Sequence, residues 1–173
     1  SSIFCKNMVS RFSGRITGRK FFFSGLLLEG IFLALKEADE AKQMQPAVLA
    51  FIGDAVFNLF IRERLIMSKK GTSHRLHILA TDYVKAASQS RISKALIDEL
   101  TEEEAYIFRR GRNAKSATIP KNADVQDYKY ATALETLLGY LYITGRRERL
   151  NFLMEKAAII IETNVNGEKN EKE

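Results

Sequence analysis

The chain has 173 residues with one cysteine, two histidines, two prolines and no tryptophan. That length suits one folded domain that needs no covalent staple. A lone Cys5 beside only His74 and His77 excludes an internal disulfide and a structural zinc site, and points to a reducing, cytoplasmic setting. Lys and Arg number 27 against 21 for Asp and Glu, a net charge of +6 that favours an anionic partner without telling nucleic acid from a membrane surface.

In chain order, residues 1–20 carry Lys6, Arg11, Arg15, Arg19 and Lys20 and no acid, and an apolar run from Phe21 to Leu35 is interrupted by Glu29. The run is too short for a membrane span, and no small-residue cleavage site follows it. It reads as a basic leader and an amphipathic helix over about 24–40 that lies on the domain or on a partner chain, not as an export signal. Pro46 suits a first helical position, and Val48, Leu49, Ile52, Val56, Leu59 and Phe60 follow helical spacing to about Met67. Thr72 or Ser73 caps a helix expected to run to about Leu100. Thr101 with Glu104 forms a capping box for a short helix ending near Arg110. Gly111 to Ala123 reads as a loop, and Asp124 caps a helix from Val125 to Ile143 that Gly145 ends. A last helix spans about Arg147 to Thr163, and the Glu- and Lys-rich residues 164–173 form a polar tail. With few prolines and no strand-like alternation, the expected fold class is all-α.

Two carboxylates stand out against this apolar patterning. Asp54 is the only charge in Leu49 to Phe57, and Glu135 the only one in Ala131 to Gly139. Removing a carboxylate from water costs several kcal/mol unless a cation, donors or a shifted pKa compensates. A shared hard cation would compensate both; outward-pointing acids paired with Arg or Lys are the plainer alternative. Oxygen ligands with water making up the balance suit Mg²⁺ or Mn²⁺, which can activate water and stabilise a phosphorus transition state. Gly53 and Gly139 each adjoin one of the acids and permit close helix approach. Diiron chemistry would want paired Glu-x-x-His motifs, and neither histidine stands in one.

The second feature is the run from Arg109 to Lys121, part of an interval between Glu104 and Asp124 with five basic residues and no acidic one. Arg110, Arg112, Asn113 and Lys115 there could grip a nucleic-acid backbone; a solvated basic loop is the alternative.

Together, Phe51-Ile52-Gly53-Asp54-Ala55-Val56, Leu134-Glu135-Thr136-Leu137-Leu138-Gly139-Tyr140, and Gly111-Arg112-Asn113-Ala114-Lys115-Ser116 with Pro120-Lys121-Asn122 resemble the ribonuclease III endonuclease domain, and specifically its Mini-III branch, which lacks the double-stranded-RNA-binding module. The resemblance covers about Gln45 to Glu162, within a domain expected over 41–163, and leaves residues 1–40 unaccounted for.

It implies an all-α, ribonuclease III-like helical bundle and a homodimer with no membrane association. Its substrate would be double-stranded RNA, in particular precursor 23S ribosomal RNA, cut to 5′-phosphate and 3′-hydroxyl ends. Asp54 and Glu135 would be the catalytic and metal-binding residues, Mg²⁺ the cofactor with Mn²⁺ as substitute, and Arg110, Arg112, Asn113 and Lys115 the RNA-binding residues. Full-length ribonuclease III usually has a Glu four residues before the signature Asp and an Asp three residues before the second Glu. This chain has Ala50 and Thr132 there, with Asp82 the one further acidic candidate. The rival expectation is a catalytically silent RNA-binding or ribosome-assembly module.

Overall fold

The computed structural model describes residues 36–68, 71–115 and 124–170, with side chains as far as Thr163. Seven α-helices succeed one another along these residues: α1 (Ala38–Gln43), α2 (Pro46–Ser68), α3 (Ser73–Val84), α4 (Ala86–Leu96), α5 (Glu102–Arg112), α6 (Val125–Ile143) and α7 (Arg147–Asn170). A single 3-10 turn, Ile97–Glu99, follows α4, and no strand occurs among the described residues.

The centre of the bundle is α6. Its stretch from Thr136 to Leu141 is buried without interruption, which is why the helix shows no polar face. Helices α2, α4 and α5 pack around it. Leu49, Phe57 and Ile61 of α2, Ile92 of α4, Ile107 and Phe108 of α5, and Leu153 of α7 converge with Leu134, Leu137 and Leu141 in one core.

Local signals set most boundaries. Pro46 opens α2, where a missing N–H goes unnoticed. Thr72 Oγ1 accepts from the Arg75 amide, resolving the choice between Thr72 and Ser73. At α5 the capping box closes in both directions, the Glu104 amide donating to Thr101 Oγ1 at 3.3 Å and the Thr101 amide to Glu104 Oε2 at 2.9 Å. Asp124 Oδ1 accepts from the amides of Gln126 and Asp127, and Gly145, at φ 69°, terminates α6 in the left-handed region.

Four expectations are corrected. The single helix expected from Thr72 to Leu100 breaks at Lys85, whose φ of −63° and ψ of 148° are extended, so α3 and α4 are separate. The break holds because Ser88 Oγ donates to the Asp82 carbonyl at 2.7 Å and Gln89 Nε2 to the Val84 carbonyl at 3.0 Å, so side chains of α4 satisfy the carbonyls that α3 leaves open. Helix α5 runs on to Arg112, so Gly111 and Arg112 are helical and not part of the loop expected from Gly111. Helix α7 continues through Asn170, where a polar tail was expected from residue 164. Of the helix expected over 24–40, residues 24–35 lie outside the described residues, Lys36 and Glu37 are not helical, and α1 begins only at Ala38.

Ion pairs tie the periphery to the core. Glu103 of α5 accepts from Lys42 at 2.7 Å, Tyr140 at 2.8 Å and Arg146 at 2.5 Å, and these donors hold its carboxyl well below the usual range, at about 2. Arg149 forks onto the buried Glu104, and Arg64 of α2 reaches both Glu155 and Glu162 of α7.

Candidate active site

Helices α2 and α6 meet backbone to backbone. A methyl group built on Gly53 would stand 1.8 Å from the Glu135 carbonyl oxygen, and one on Gly139 would stand 1.9 Å from the Leu49 carbonyl oxygen. Neither distance is compatible with a side chain, so only glycine at both positions allows this crossing. Asp54 directly follows Gly53, and Glu135 itself supplies the carbonyl that Gly53 faces. The two acids singled out in the sequence therefore come from the same crossing point, and Asp54 is the charge felt by Glu135.

Each carboxylate is held by one amide. Asn58, one turn along α2, donates from Nδ2 to Asp54 Oδ1 at 2.7 Å, and Arg62 Nη1 in turn donates to Asn58 Oδ1 at 3.2 Å. Gln89 of α4 donates from Nε2 to Glu135 Oε1 at 3.0 Å. Burial first, and the neighbouring Asp54 charge second, push the Glu135 carboxyl up to about 7 against the opposing hydrogen bond from Gln89. Two acids crowded until one resists ionisation form a site short of positive charge.

A hard divalent cation fits that deficit, and the donor set is made only of oxygens, as Mg²⁺ or Mn²⁺ requires. Among the described residues no group of three or more His, Cys, Asp or Glu side chains gathers to hold a metal. Asp82 does not join Asp54 and Glu135: its carboxylate pairs with Lys85 at the end of α3. Ala50 is buried, so that position supplies no polar atom either.

The basic residues leave the bundle close by. A methyl group on Gly111 would meet Thr136 Oγ1 at 2.5 Å and the Ala133 Cα at 2.9 Å, so the end of α5 lies against the very turn of α6 that bears Glu135. Gly111 thus lets α6 approach. Arg112 stacks over the Tyr130 ring with its guanidinium carbon 6.0 Å from the centroid, Lys94 sits over the same ring at 5.3 Å, and Asn113 and Lys115 are exposed. Arg110 is committed elsewhere: its guanidinium donates to the Lys42 carbonyl and, at 2.9 Å, to the Met44 carbonyl, clamping the corner between α1 and α2. Ser116, Thr118, Pro120, Lys121 and Asn122 of the same motif lie outside the described residues.

Sequence reading did not find Gln89, nor the role of Asn58 as a donor to Asp54. Asn58 had a signal, since it stands four residues after Asp54 on one helix face. Gln89 had none, because its partner Glu135 is 46 positions away and its neighbours are small or polar. His77 lines a cavity of about 370 Å³ between α2 and α3 with Arg62 and Ser73, and that cavity contains no acid.

Comparison with known proteins agrees in sequence and in fold. The profile of the family described as Ribonuclease III domain matches residues 47–146. The Mini-ribonuclease 3 of Thermoanaerobacter sp. is 47% identical over 135 residues, 78% of this chain and 94% of that protein. That of Clostridium tetani is 47% identical over 117 residues, covering 67% and 78%, and that of Staphylococcus aureus 38% identical over 128 residues, covering 73% and 96%. An X-ray crystal structure of a protein from Fusobacterium nucleatum superposes with a TM-score of 0.60 at 32% identity, covering 75% of this chain and 98% of that one.

The crowding of the two acids carries a cost that a neutral side chain removes. A raised carboxyl pKa means that the folded state binds the proton more tightly than the unfolded one, so Glu135 subtracts stability as pH climbs from about 4.5 to about 7. In EDTA, Glu135→Gln should be the more stable protein at pH 8, by about 1–2 kcal/mol after allowance for partial solvent exposure, and the gap should close by pH 4. Thermal or urea unfolding across this range checks it; equal stability at pH 8 would show that burial and the Asp54 charge together do not raise the Glu135 carboxyl.

Proposed function

Because this chain belongs to the ribonuclease III family and is an endoribonuclease, we propose that it hydrolyses double-stranded RNA as a homodimer, using a divalent ion held by Asp54 and Glu135. The observation that carries this reading is the electrostatic coupling of those two carboxylates at the glycine crossing of α2 and α6. Mg²⁺ is the ion proposed, with Mn²⁺ as substitute. When bound, it supplies a lowered pKa for water and charge neutralisation at the scissile phosphate.

The protein's own contribution is placement. Asp54 and Glu135 would fix the ion against the two helices that form the centre of the bundle, each with one oxygen engaged by an amide and one oxygen left over. Arg112, Asn113 and Lys115 would hold phosphate oxygens of the duplex, with Arg110 fixing the base of that segment through the Lys42 and Met44 carbonyls. Water adds to phosphorus, the bond to the 3′ oxygen breaks, and that oxygen takes a proton, leaving 5′-phosphate and 3′-hydroxyl ends. Readout by backbone shape follows from A-form geometry, whose deep groove conceals the base edges. Precursor 23S ribosomal RNA is the substrate proposed, on the likeness to Mini-ribonuclease 3 proteins, and the cytoplasm the compartment. Among the described residues no helix is long and apolar enough to cross a membrane.

The homodimer reading draws on the outer face of α2. Val48, Phe51, Ala55 and Leu59 repeat at helical spacing and are all exposed, Phe51 by 83%. An aromatic ring that open, in a row of apolar neighbours beside Asp54, suits a self-complementary interface with two-fold symmetry. One seam would then bring two catalytic carboxylate pairs to a single duplex.

Incubation of the purified chain with a labelled RNA duplex and Mg²⁺, with an EDTA control, tests the chemistry. Asp54→Asn and Glu135→Gln should each lower cleavage by at least about a thousandfold, as loss of a principal charge-stabilising group does, while duplex binding persists. Undiminished cleavage by either variant would remove the role assigned to that acid, and binding without cleavage by the unaltered chain would favour the silent RNA-binding module. Phe51→Lys should convert the dimer to monomer in sedimentation velocity and reduce cleavage with it; a dimer that persists would place the interface elsewhere.

A further inference from the structure

Gln89 lies on the first turns of α4, 2% exposed, in a stretch where Ser88 and Ser90 are fully buried too. A glutamine amide has two N–H groups, and here both are spent: one on the Val84 carbonyl at 3.0 Å, the other on Glu135 Oε1 at 3.0 Å. Its carbonyl oxygen, Oε1, is buried and has no hydrogen-bond partner. The reverse orientation of the amide would set that oxygen against two acceptors, so the partners themselves fix which end is which. A buried acceptor left unpaired costs about 1–3 kcal/mol. Stopping α3 needs only one donor for Val84, and Ser88 already serves the neighbouring Asp82 carbonyl. The second donor, carried at the expense of a stranded oxygen, has a single destination, the Glu135 carboxylate.

The arrangement mirrors the one on α2. Asn58 engages Asp54 Oδ1 at 2.7 Å, so each member of the acidic pair has one oxygen tied by a side-chain amide. The Asn58 amide belongs to the helix of its own acid and moves with it. Gln89 stands on a different helix, joined through Val84 to the corner of α3 and α4, and so ties the carboxylate of α6 to a third element of the bundle.

We propose that Gln89 is a positioning residue for the reaction: its amide pins Glu135 Oε1 to the α3–α4 corner and thereby presents the other carboxylate oxygen to the divalent ion shared with Asp54. This rests on the reading of Asp54 and Glu135 as the metal ligands. Hydrogen-bond partners of a ligating side chain set its orientation, and losing one typically weakens metal affinity about 10–100-fold. Gln89 is buried and offers no surface to a duplex, so its removal should leave RNA affinity alone.

The test is Gln89→Leu, with Gln89→Met as a second replacement of similar length that also lacks the donor, should the leucine chain fail to fold. Mn²⁺ binding is followed by electron paramagnetic resonance without RNA, duplex binding by electrophoretic shift in EDTA, and cleavage over a range of Mg²⁺ concentrations. Mn²⁺ affinity should fall about tenfold, and the Mg²⁺ concentration for half-maximal rate should rise by a similar factor. Duplex binding in EDTA should stay within about twofold of the unaltered chain. A merely structural role would lower the melting temperature and the amount of active protein while leaving both metal midpoints of the folded fraction where they were, and that result would overturn the proposal. Asp54→Asn, run alongside, separates the two levels. If it abolishes Mn²⁺ binding while the Gln89 variants bind as before, only the role of Gln89 fails; if it binds Mn²⁺ as before, the metal site itself is misassigned.

Discussion

Two carbonyl oxygens, those of Glu135 and Leu49, occupy the space where a Cβ of Gly53 and of Gly139 would stand, at 1.8 and 1.9 Å. Everything at the site follows from that contact. With the backbones of α2 and α6 touching, a residue next to Gly53 and the residue that lends Gly53 its carbonyl neighbour are brought together, and those residues are Asp54 and Glu135. Larger residues at the crossing would push the helices apart, and both the burial that chiefly lifts the Glu135 carboxyl to about 7 and the Asp54 charge that adds to it would weaken. The fold thus concentrates negative charge beside the stretch of α6, Thr136 to Leu141, that is buried without interruption.

That concentration opposes folding and serves function. Nothing in the core gains from a carboxylate that resists ionisation, and the surrounding amides of Asn58 and Gln89 offset only part of the cost. A divalent cation at the proposed site would offset the rest, and would stabilise the folded chain as it binds. Gly111 seats the end of α5 on Ala133 and Thr136 of α6, the helix that carries Glu135, and Arg112, Asn113 and Lys115 follow from there.

Much of this was legible in the chain. An acid alone in an apolar helical run declares a cost that must be met, and both Asp54 and Glu135 made that declaration; the adjoining glycines signalled close approach. Caps at Thr72, Thr101 and Asp124 were legible because they are local. The parts that escaped are those decided by tertiary partners. Lys85 carries no turn signal, and the chain breaks there because Ser88 and Gln89 reach back to α3. Ser88, Gln89, Ser90 and Ser93 are polar residues without an evident sequence signal, yet all four are buried against neighbours the sequence does not reveal. Arg110 looked like part of a grip on phosphate, but its charge falls within reach of the Lys42 and Met44 carbonyls once α5 extends past it.

The proposed site places a divalent ion between Asp54 of α2 and Glu135 of α6. The most direct measurement is paramagnetic broadening in amide-resolved NMR spectra of the isotope-labelled chain, titrated with Mn²⁺ well below stoichiometry. Signals from residues around Asp54 and around Glu135 should disappear together and first, with those near Gln89 close behind. Broadening that begins at only one of the two acids, or that gathers elsewhere on the surface, would contradict the shared site.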